Sequence, residues 1–136
     1  AYETLLYAAL LAMLEPNASA QTVADIARVW SISEEREDLS DEVRRDPDPY
    51  IAIIPRIRDV GDWRARFQLY ALASHVTALG INFAIQGLDD EDTYVVGRSL
   101  LAINEIDHQQ AVLLAHRFLA HDDEYPRRIA TYVTST

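Results

Sequence analysis

Three of the four histidines of the chain lie in the segment NEIDHQQAVLLAHRFLAHDDE, which runs from Asn104 to Glu124. Histidine and carboxylate side chains are common metal ligands, and a helix presents two of them to one metal when they are three or four residues apart. His108 and His116 are eight residues apart, and His116 and His121 are five apart, so neither pair can chelate a metal from one helix. We predict that the three histidines line the polar face of an amphipathic helix.

A single Glu-x-x-His motif, formed by Glu105 and His108, does have the spacing of a metal-binding helix. Ferritin-like di-iron bundles use this motif, but they need it twice, together with two further glutamates that face the bundle interior. No second Glu-x-x-His occurs in the chain, and His75 lies in a different predicted helix. The sequence therefore predicts no metal and no cofactor.

Two pairs of carboxylates have the spacing of a magnesium site. Glu34 and Glu37 lie three residues apart in a predicted helix, and Asp89 and Asp92 lie three apart near the start of another. The pattern resembles the all-helical nucleotide pyrophosphatases, which bind Mg²⁺ with Glu-x-x-Glu on one helix and Glu-x-x-Asp on a second, and this implies a Mg²⁺-dependent hydrolase. Asp89 and Asp92 depart from the pattern because they fall in a loop and a first helical turn. Acidic residues at solvated helix starts explain both pairs, so the hydrolase is an alternative interpretation.

The segment IPRIRDVGDWRARF, residues 54–67, is the one basic part of the chain. Arginine and tryptophan are enriched at interface hot spots because they combine a large apolar area with directional hydrogen bonds. A second interpretation is that Trp63 and Phe67 belong to the core and that the arginines pair with acidic groups of the same chain. The candidate interaction residues are Arg56, Arg58, Trp63 and Arg64.

Residues 21–39, QTVADIARVWSISEEREDL, have the pattern of a helix-turn-helix, with Ser33 as the cap of the second helix. The recognition helix would then read SEEREDLSDE, in which six of ten residues are acidic and Arg36 is the single basic residue. Such a helix is repelled by the phosphate groups that flank a DNA groove. We expect a helical hairpin here and no binding of nucleic acid, with a helix-turn-helix regulator as a further alternative.

Composition excludes several classes of chemistry. The chain of 136 residues contains no cysteine, so disulfides, thiolate metal sites and cysteine nucleophiles are ruled out. All twelve basic residues are arginines, which rules out Schiff-base lysines and a P-loop lysine. The net charge is −10, and this charge disfavours both nucleic acid and anionic membrane surfaces as partners.

The first apolar run, Leu5–Leu14, is followed by ASA at residues 18–20, which resembles a signal-peptidase site. Signal peptides begin with positive charge, whereas this run is preceded by Glu3, and ten residues are too few to span a bilayer. We therefore expect a helix of a cytoplasmic protein without a membrane segment.

Helical periodicity dominates the chain and alternating strand patterns are nearly absent. The sequence predicts an all-α protein, a compact bundle of about six or seven helices in a single domain that covers residues 1–136. The predicted helical segments are Tyr2–Leu14, Ala20–Trp30, Ser33–Arg44, Ile51–Arg58, Asp62–Ile85, Asp90–Ile106, Asp107–Ala120 and a short element after Glu124.

Two of these helices carry strong apolar patterns. The long helix has an a/d seam with spacings of three and four residues, which is typical of a helix at the centre of a bundle. The first helix is apolar on nearly every side, which is typical of a helix that is central in the core or shared with another subunit. The seam consists of Leu69, Leu72, Val76, Leu79 and Phe83.

These observations favour a non-enzymatic interaction or regulatory module, such as an adaptor, an inhibitor or an immunity-type protein. We expect a protein partner, and the acidic surface favours a basic one. We also expect self-association through apolar helical surface.

Overall fold

The computed structural model describes residues 1–135, which contain nine α-helices and no β-strand. The prediction of an all-α fold is confirmed, whereas the predicted number of six or seven helices is wrong. The α-helices are α1 Tyr2–Met13, α2 Ala20–Ile32, α3 Asp38–Arg45, α4 Ile54–Val60, α5 Trp63–Leu72, α6 Gly80–Gln86, α7 Thr93–Ile106, α8 His108–Ala115 and α9 Glu124–Ser135. Short 3₁₀ helices cover Asp48–Tyr50, Thr77–Leu79, Gly87–Asp89 and His116–Phe118.

The chain folds into two compact units, of which the first comprises Ala1–Leu69 and the second begins at Tyr70. In the first unit α2 packs against α4, and α1 packs against α2 and α3. Ser19 caps α2 by accepting a hydrogen bond from the backbone N–H of Thr22, at 3.1 Å. The large side chains buried in this unit are Met13, Val23, Ile26, Trp30, Leu39, Val43, Ile53, Ile54, Ile57 and Leu69.

The helix predicted over residues 33–44 begins five residues later than expected, because Ser33 ends α2 instead of capping α3. The buried Ser33 hydroxyl donates to the carbonyl of Trp30 at 3.0 Å. Residues 33–37 form a turn in which Glu37 adopts a left-handed φ of 53°. The helical hairpin therefore exists, but half of the acidic segment assigned to a recognition helix is turn.

The prediction of one long helix over residues 62–85 is wrong, because α5 ends at Leu72 and α6 begins at Gly80. The hydroxyl of Ser74 donates to the carbonyl of Ala71, which stabilises the end of α5. Gly80 has a φ of +79°, a conformation that a residue with a side chain rarely adopts. The a/d seam is consequently divided among separate elements, and Leu79 is half-buried while the other four seam residues are buried.

In the second unit α7 is the central helix and packs against α6, α8 and α9. The carboxylate of Asp92 caps the amino-terminal end of α7 by accepting hydrogen bonds from the backbone N–H groups of Tyr94 and Val95, at 2.9 and 3.3 Å. Asp107 begins α8 in the same way, with a hydrogen bond of 3.2 Å from Gln110. The buried residues of α7 are Val95, Val96, Gly97, Ser99, Leu100, Ala102 and Ile103.

Among residues 1–135, no single helix is both long enough and apolar enough to cross a membrane. The segments Trp63–Leu72 and Thr77–Asp89, which are separated by a sharp bend, meet the length and apolarity criteria only when they are taken together.

Candidate interaction surfaces

The position of α1 in the first unit is held by contacts at its amino-terminal end. The Tyr2 hydroxyl donates to the Asp38 carboxylate at 2.7 Å, and the Arg36 guanidinium lies 4.8 Å from the centre of the Tyr2 ring. Partial burial, and then the hydrogen bond and negative charge of Asp38, raise the pKa of Tyr2 to about 12. The phenol therefore stays protonated near neutral pH and keeps this end of α1 attached to α3.

This attachment determines which side of α1 faces the core. Only Ala9 and Met13 are buried within the helix, and Leu6 and Leu10 are half-buried. The opposite side consists of exposed residues, and its large apolar members are 49–67% exposed. We call this side the α1 outer stripe, and it consists of Thr4, Tyr7, Leu11 and Leu14.

The α1 outer stripe has the spacing of a helix–helix contact. Its four residues follow one another at intervals of three, four and three, the a/d pattern of helices that pack along their length. In a helix whose exposed side faces water, these positions would carry charged or polar residues. Within residues 1–14, however, Glu3 is the only charged side chain. The stripe is therefore a largely apolar, exposed side of α1 with the spacing of a helix–helix contact.

Two depressions flank α1. The one between α1 and α2 has a volume of about 230 Å³, and on α1 it is lined by Leu5, Ala8, Ala9 and Ala12. Asp25 is its one charged lining residue. The depression on the other flank, beside α3, has a volume of about 510 Å³ and six charged lining residues, among them Arg36 and Glu42. The outer stripe thus runs between a small apolar hollow and a larger charged one.

A third depression, of about 320 Å³, lies between α2 and the end of α4. Its exposed apolar lining residues are Ile32 and Val60, which are 58% and 56% exposed. Asp62 also lines it and begins α5 by accepting hydrogen bonds at 3.1 Å from the backbone N–H groups of Arg64 and Ala65. Three of its lining residues, Val60, Gly61 and Asp62, belong to the basic segment, residues 54–67.

The four candidate interaction residues lie on α4 and α5, and each makes contacts within the first unit. Arg56 is exposed, but its guanidinium donates to the carbonyl of Ala18 at 2.7 Å. Arg58 is bound to the Asp59 carboxylate at 2.8 Å, and the guanidinium of Arg64 lies 5.5 Å from the centre of the Trp63 ring. Trp63 and Phe67 are half-buried. The pairing of Arg58 with Asp59 is of the kind that the second interpretation predicts, and the role of the four residues in binding a partner stays a prediction.

The Asp62 carboxylate makes the stability of α5 depend on pH. Partial burial favours the neutral form, but hydrogen bonds from the Ser31 hydroxyl at 2.6 Å and from the backbone N–H groups of Ala65 and Arg64 outweigh it, so the pKa of Asp62 is lowered. Because its folded pKa is lowered, the Asp62 carboxylate contributes fully to the free energy of unfolding above its pKa in the unfolded chain, about 3.9. This contribution is lost as the pH falls through the folded pKa. We expect Asp62→Ala to cost about 0.5–2 kcal/mol at pH 6, the usual cost of removing a helix cap.

The matched variant is Asp62→Asn, which keeps a capping oxygen but does not titrate. Urea unfolding of the wild type and Asp62→Asn at pH 6 and pH 3 gives the test. The stability difference between the two proteins should shrink at pH 3, and an equal difference at both pH values would show that the carboxylate charge contributes nothing.

The histidines do not share one helical face, so that prediction is wrong. His108 lies at the start of α8, where its Nδ1 is 2.6 Å from the Asn104 side-chain oxygen. His116 begins a 3₁₀ turn, and His121 lies in the loop after it, where Nδ1 accepts a hydrogen bond from the backbone N–H of Asp123 at 2.9 Å. Helix α8 ends at Ala115, so only His108 of the three histidines lies in it.

The Glu-x-x-His motif is divided between two helices, since α7 ends at Ile106 and α8 begins at His108. The Glu105 carboxylate lies 3.8 Å from the Arg98 guanidinium.

The carboxylate pairs of the hydrolase alternative are also placed differently from the prediction. Glu34 and Glu37 lie in the turn 33–37 and share no helical face. Asp89 ends a 3₁₀ helix, and Asp92 is occupied as the cap of α7. Across residues 1–135, no group of three or more histidine, aspartate or glutamate side chains is arranged to hold a metal ion.

The fold and these surfaces define an all-helical protein whose first helix presents an apolar seam. Comparisons of the chain with protein-family models, with curated proteins and with solved structures gave no match.

The outer stripe is a surface that the sequence did not predict. A signal for it was present, because Thr4, Tyr7, Leu11 and Leu14 have a/d spacing in the printed sequence. The other sides of α1 are also apolar, so the spacing alone did not distinguish the outer side from the buried one.

Proposed function

We propose that this chain is a non-enzymatic interaction module that binds a protein through the α1 outer stripe. The observation that carries the proposal is the exposure of Tyr7, Leu11 and Leu14, at 67%, 52% and 49%, on a side of the helix that has a/d spacing. Exposed apolar patches of this kind mark contact sites for proteins. Removal of three such side chains from water provides a driving force for association.

The distribution of charge supports the same conclusion. The net charge of −10 keeps most of the surface hydrated, while α1 carries a single charged side chain. Interface centres are depleted of charged residues and enriched in tyrosine and other large apolar side chains. A regulatory, inhibitory or adaptor role is consistent with a surface that binds one partner while the remaining acidic surface prevents general association.

The basic segment supplies a second contact surface within this proposal. Ile32 and Val60, on the rim of the depression between α2 and α4, are exposed apolar residues, and Val60 is close in sequence to Trp63 and Arg64. Next along the chain, the guanidinium of Arg64 lies 5.5 Å from the centre of the Trp63 ring, and a contact already made in the free chain lowers the entropic cost of binding through these side chains. Arg56 and Arg58 would contribute at the edge, where ion pairs add little to affinity.

The rival functions are not favoured by any particular contact. A magnesium-dependent hydrolase needs carboxylates that converge on one cation, and Asp92 already caps α7. A helix-turn-helix regulator needs a basic recognition helix, whereas α3 reads DLSDEVRR with acidic residues in its first turn.

Photo-crosslinking in the cells that produce the protein tests the proposal. A photoreactive phenylalanine analogue is introduced at position 11 of the full chain. We expect covalent adducts with protein, because a helix–helix partner brings side chains within contact distance of Leu11.

The matched control carries the same analogue at Leu113, which is 73% exposed and lies outside the stripe. Adducts at position 11 that are absent at position 113 support the proposal. Equal labelling at both positions, or none at position 11, contradicts it.

A further inference from the structure

The turn that precedes α9 depends on one histidine side chain. The backbone N–H of Asp123 donates a hydrogen bond to Nδ1 of His121 at 2.9 Å. A backbone N–H can only donate, so Nδ1 carries no proton here, and the proton of the neutral ring is on Nε2. An imidazole that is protonated on both nitrogens has two donors and no acceptor. This hydrogen bond therefore exists only while the His121 ring is uncharged.

The residue held by this bond, Asp123, connects two helices of the second unit. One carboxylate oxygen of Asp123 accepts a hydrogen bond at 3.0 Å from the backbone N–H of Tyr125, in the first turn of α9. The other accepts a hydrogen bond at 3.0 Å from the hydroxyl of Thr93, the first residue of α7. The backbone of Asp123 orients both oxygens, and the His121 ring helps to fix that backbone. Loss of the ring as an acceptor therefore loosens the cap of α9 and its link to α7.

Acidic groups close to the His121 ring compensate a positive charge on it. The carboxylates of Asp122, Asp123 and Glu124 follow the histidine directly in the chain, and Glu124 is also 3.9 Å from the guanidinium of Arg128. Negative charges near an imidazole favour its protonated form. Protonation of the ring therefore costs the turn a hydrogen-bond acceptor more than it introduces an unfavourable charge.

Positive groups oppose protonation of the ring from two sides. The guanidinium of Arg127 donates to the backbone carbonyl of His121 at 2.9 Å. On the side of the 3₁₀ helix, the His121 ring lies 6.1 Å from the ring of Phe118, and the guanidinium of Arg117 lies 5.4 Å from the centre of that same ring. The contact from α7 is the uncharged Thr93. The other titratable side chains of the elements around the turn are Tyr94, Arg98, Glu105, His108, His116 and Tyr125.

We propose that His121 is a pH-sensitive switch in the second unit: the uncharged ring holds the turn at residues 121–123, and the protonated ring releases it. Imidazole side chains take up a proton between about pH 8 and about pH 5, so the change falls in the physiological range. Helix α9 itself stays on α7, because the Tyr125 ring packs so closely on Gly97 that a Cβ there would lie 2.3 Å from it. Acidification therefore frees the turn without unfolding the unit.

The protonation state of the ring gives the first test. Long-range proton–nitrogen correlation spectra of the ¹⁵N-labelled full chain at about pH 8 distinguish the two neutral forms of a histidine. His121 should carry its proton on Nε2. A proton on Nδ1 would place two donors against each other and overturns the inference.

Amide hydrogen exchange measures the release of the turn. The protection of the Asp123 N–H, relative to an unstructured peptide at the same pH, is compared at about pH 7.5 and about pH 5.5. In the wild type it should fall about three- to tenfold on acidification, which corresponds to the loss of one hydrogen bond. Far-ultraviolet circular dichroism should be the same at both pH values, and a loss of helix would contradict a release confined to the turn.

Two variants assign the effect to the ring. His121→Asn is the matched variant, because an asparagine side-chain oxygen accepts the hydrogen bond from the backbone two residues on and does not titrate. Its Asp123 N–H should be protected equally at both pH values. His121→Ala has no acceptor, and its Asp123 N–H should be weakly protected at both.

Another histidine provides an internal control. Nδ1 of His108 lies 2.6 Å from the side-chain oxygen of Asn104, which can only accept, so this ring donates whether it is charged or uncharged. The contact should persist at both pH values. Wild-type protection of Asp123 that does not change with pH overturns the inference. An equal fall in His121→Asn, which would assign the effect to a carboxylate, overturns it as well.

Discussion

Replacement of Trp30 by alanine should cost about 3–5 kcal/mol of unfolding free energy, the usual range for a large aromatic residue in a core. The Trp30 side chain is fully buried at the centre of the first unit, where the carbonyl of the same residue accepts hydrogen bonds from the Ser33 hydroxyl at 3.0 Å and the Gln68 amide at 2.8 Å. The truncation leaves a cavity that neighbouring side chains fill only in part. Urea unfolding followed by far-ultraviolet circular dichroism measures the loss.

Two further variants show whether the loss comes from burial. Trp63→Ala, at the half-buried second tryptophan, should cost clearly less, since less apolar area is returned to water. Trp30→Phe should also cost less than Trp30→Ala, because it keeps a ring and removes the buried indole N–H, for which residues 1–135 provide no hydrogen-bond acceptor. If Trp30→Ala and Trp63→Ala lose the same free energy, the assignment of Trp30 to the core is wrong.

Replacement of Gly87 by alanine should destabilise the second unit by about 1–3 kcal/mol or more, the range for overpacking a filled core. A Cβ atom at position 87 would lie 2.7 Å from the Cβ atom of Ser99 and 3.0 Å from the Tyr70 ring, and it would overlap the Ser99 hydroxyl. The Ser99 Cβ is fixed to the backbone of α7, so that relief requires the two backbones to separate. Thermal unfolding followed by circular dichroism measures the effect.

The double variant Gly87→Ala/Ser99→Gly provides the control, since it removes the Cβ and hydroxyl that the new methyl group meets. It should recover part of the lost stability, although a glycine inside α7 costs up to about 1 kcal/mol. Recovery identifies the contact between residues 87 and 99 as the cause. A single Gly87→Ala variant as stable as the wild type would falsify the close packing at this position.

The regular parts of the fold were predictable because helix formation depends on local patterns. The starts of α1, α2 and α7 and the ends of α1 and α7 fall within a few residues of the predicted positions. These boundaries coincide with capping residues such as Ser19 and Asp92, whose side chains bond to backbone groups two or three residues away. Short-range interactions of this kind can be predicted from the residue types alone.

The interruptions were not predictable in the same way. As the a/d pattern indicates, the seam residues Leu69, Leu72, Val76 and Phe83 are buried. They do not all belong to one helix, however, because α5 ends at Leu72 and α6 begins at Gly80. The pattern reports that each position is apolar and does not report whether the backbone between them is continuous. Gly80 and Ser74 supply the break, and both residue types also occur inside helices.

The candidate sites show the same difference between what residue spacing predicts and what the helix boundaries decide. The spacing of Glu34 and Glu37, and of Glu105 and His108, predicted shared faces only on the condition that one helix contains both members of each pair. The turn at residues 33–37 and the end of α7 at Ile106 remove that condition. Spacing is therefore informative about a site only after the helix boundaries are known.

The sequence by itself determined the helical class, the absence of thiol and lysine chemistry, the acidic net charge and the apolar character of α1, because each of these follows from residue type and local periodicity. The tertiary structure alone decided which side of α1 is exposed. All sides of that helix carry apolar residues, so burial of Ala9 and Met13 instead of Tyr7 and Leu11 depends on where α2 and α3 lie and on the hydrogen bond from Tyr2 to Asp38. The choice is made by packing between segments distant in the sequence, and the outer stripe is its consequence.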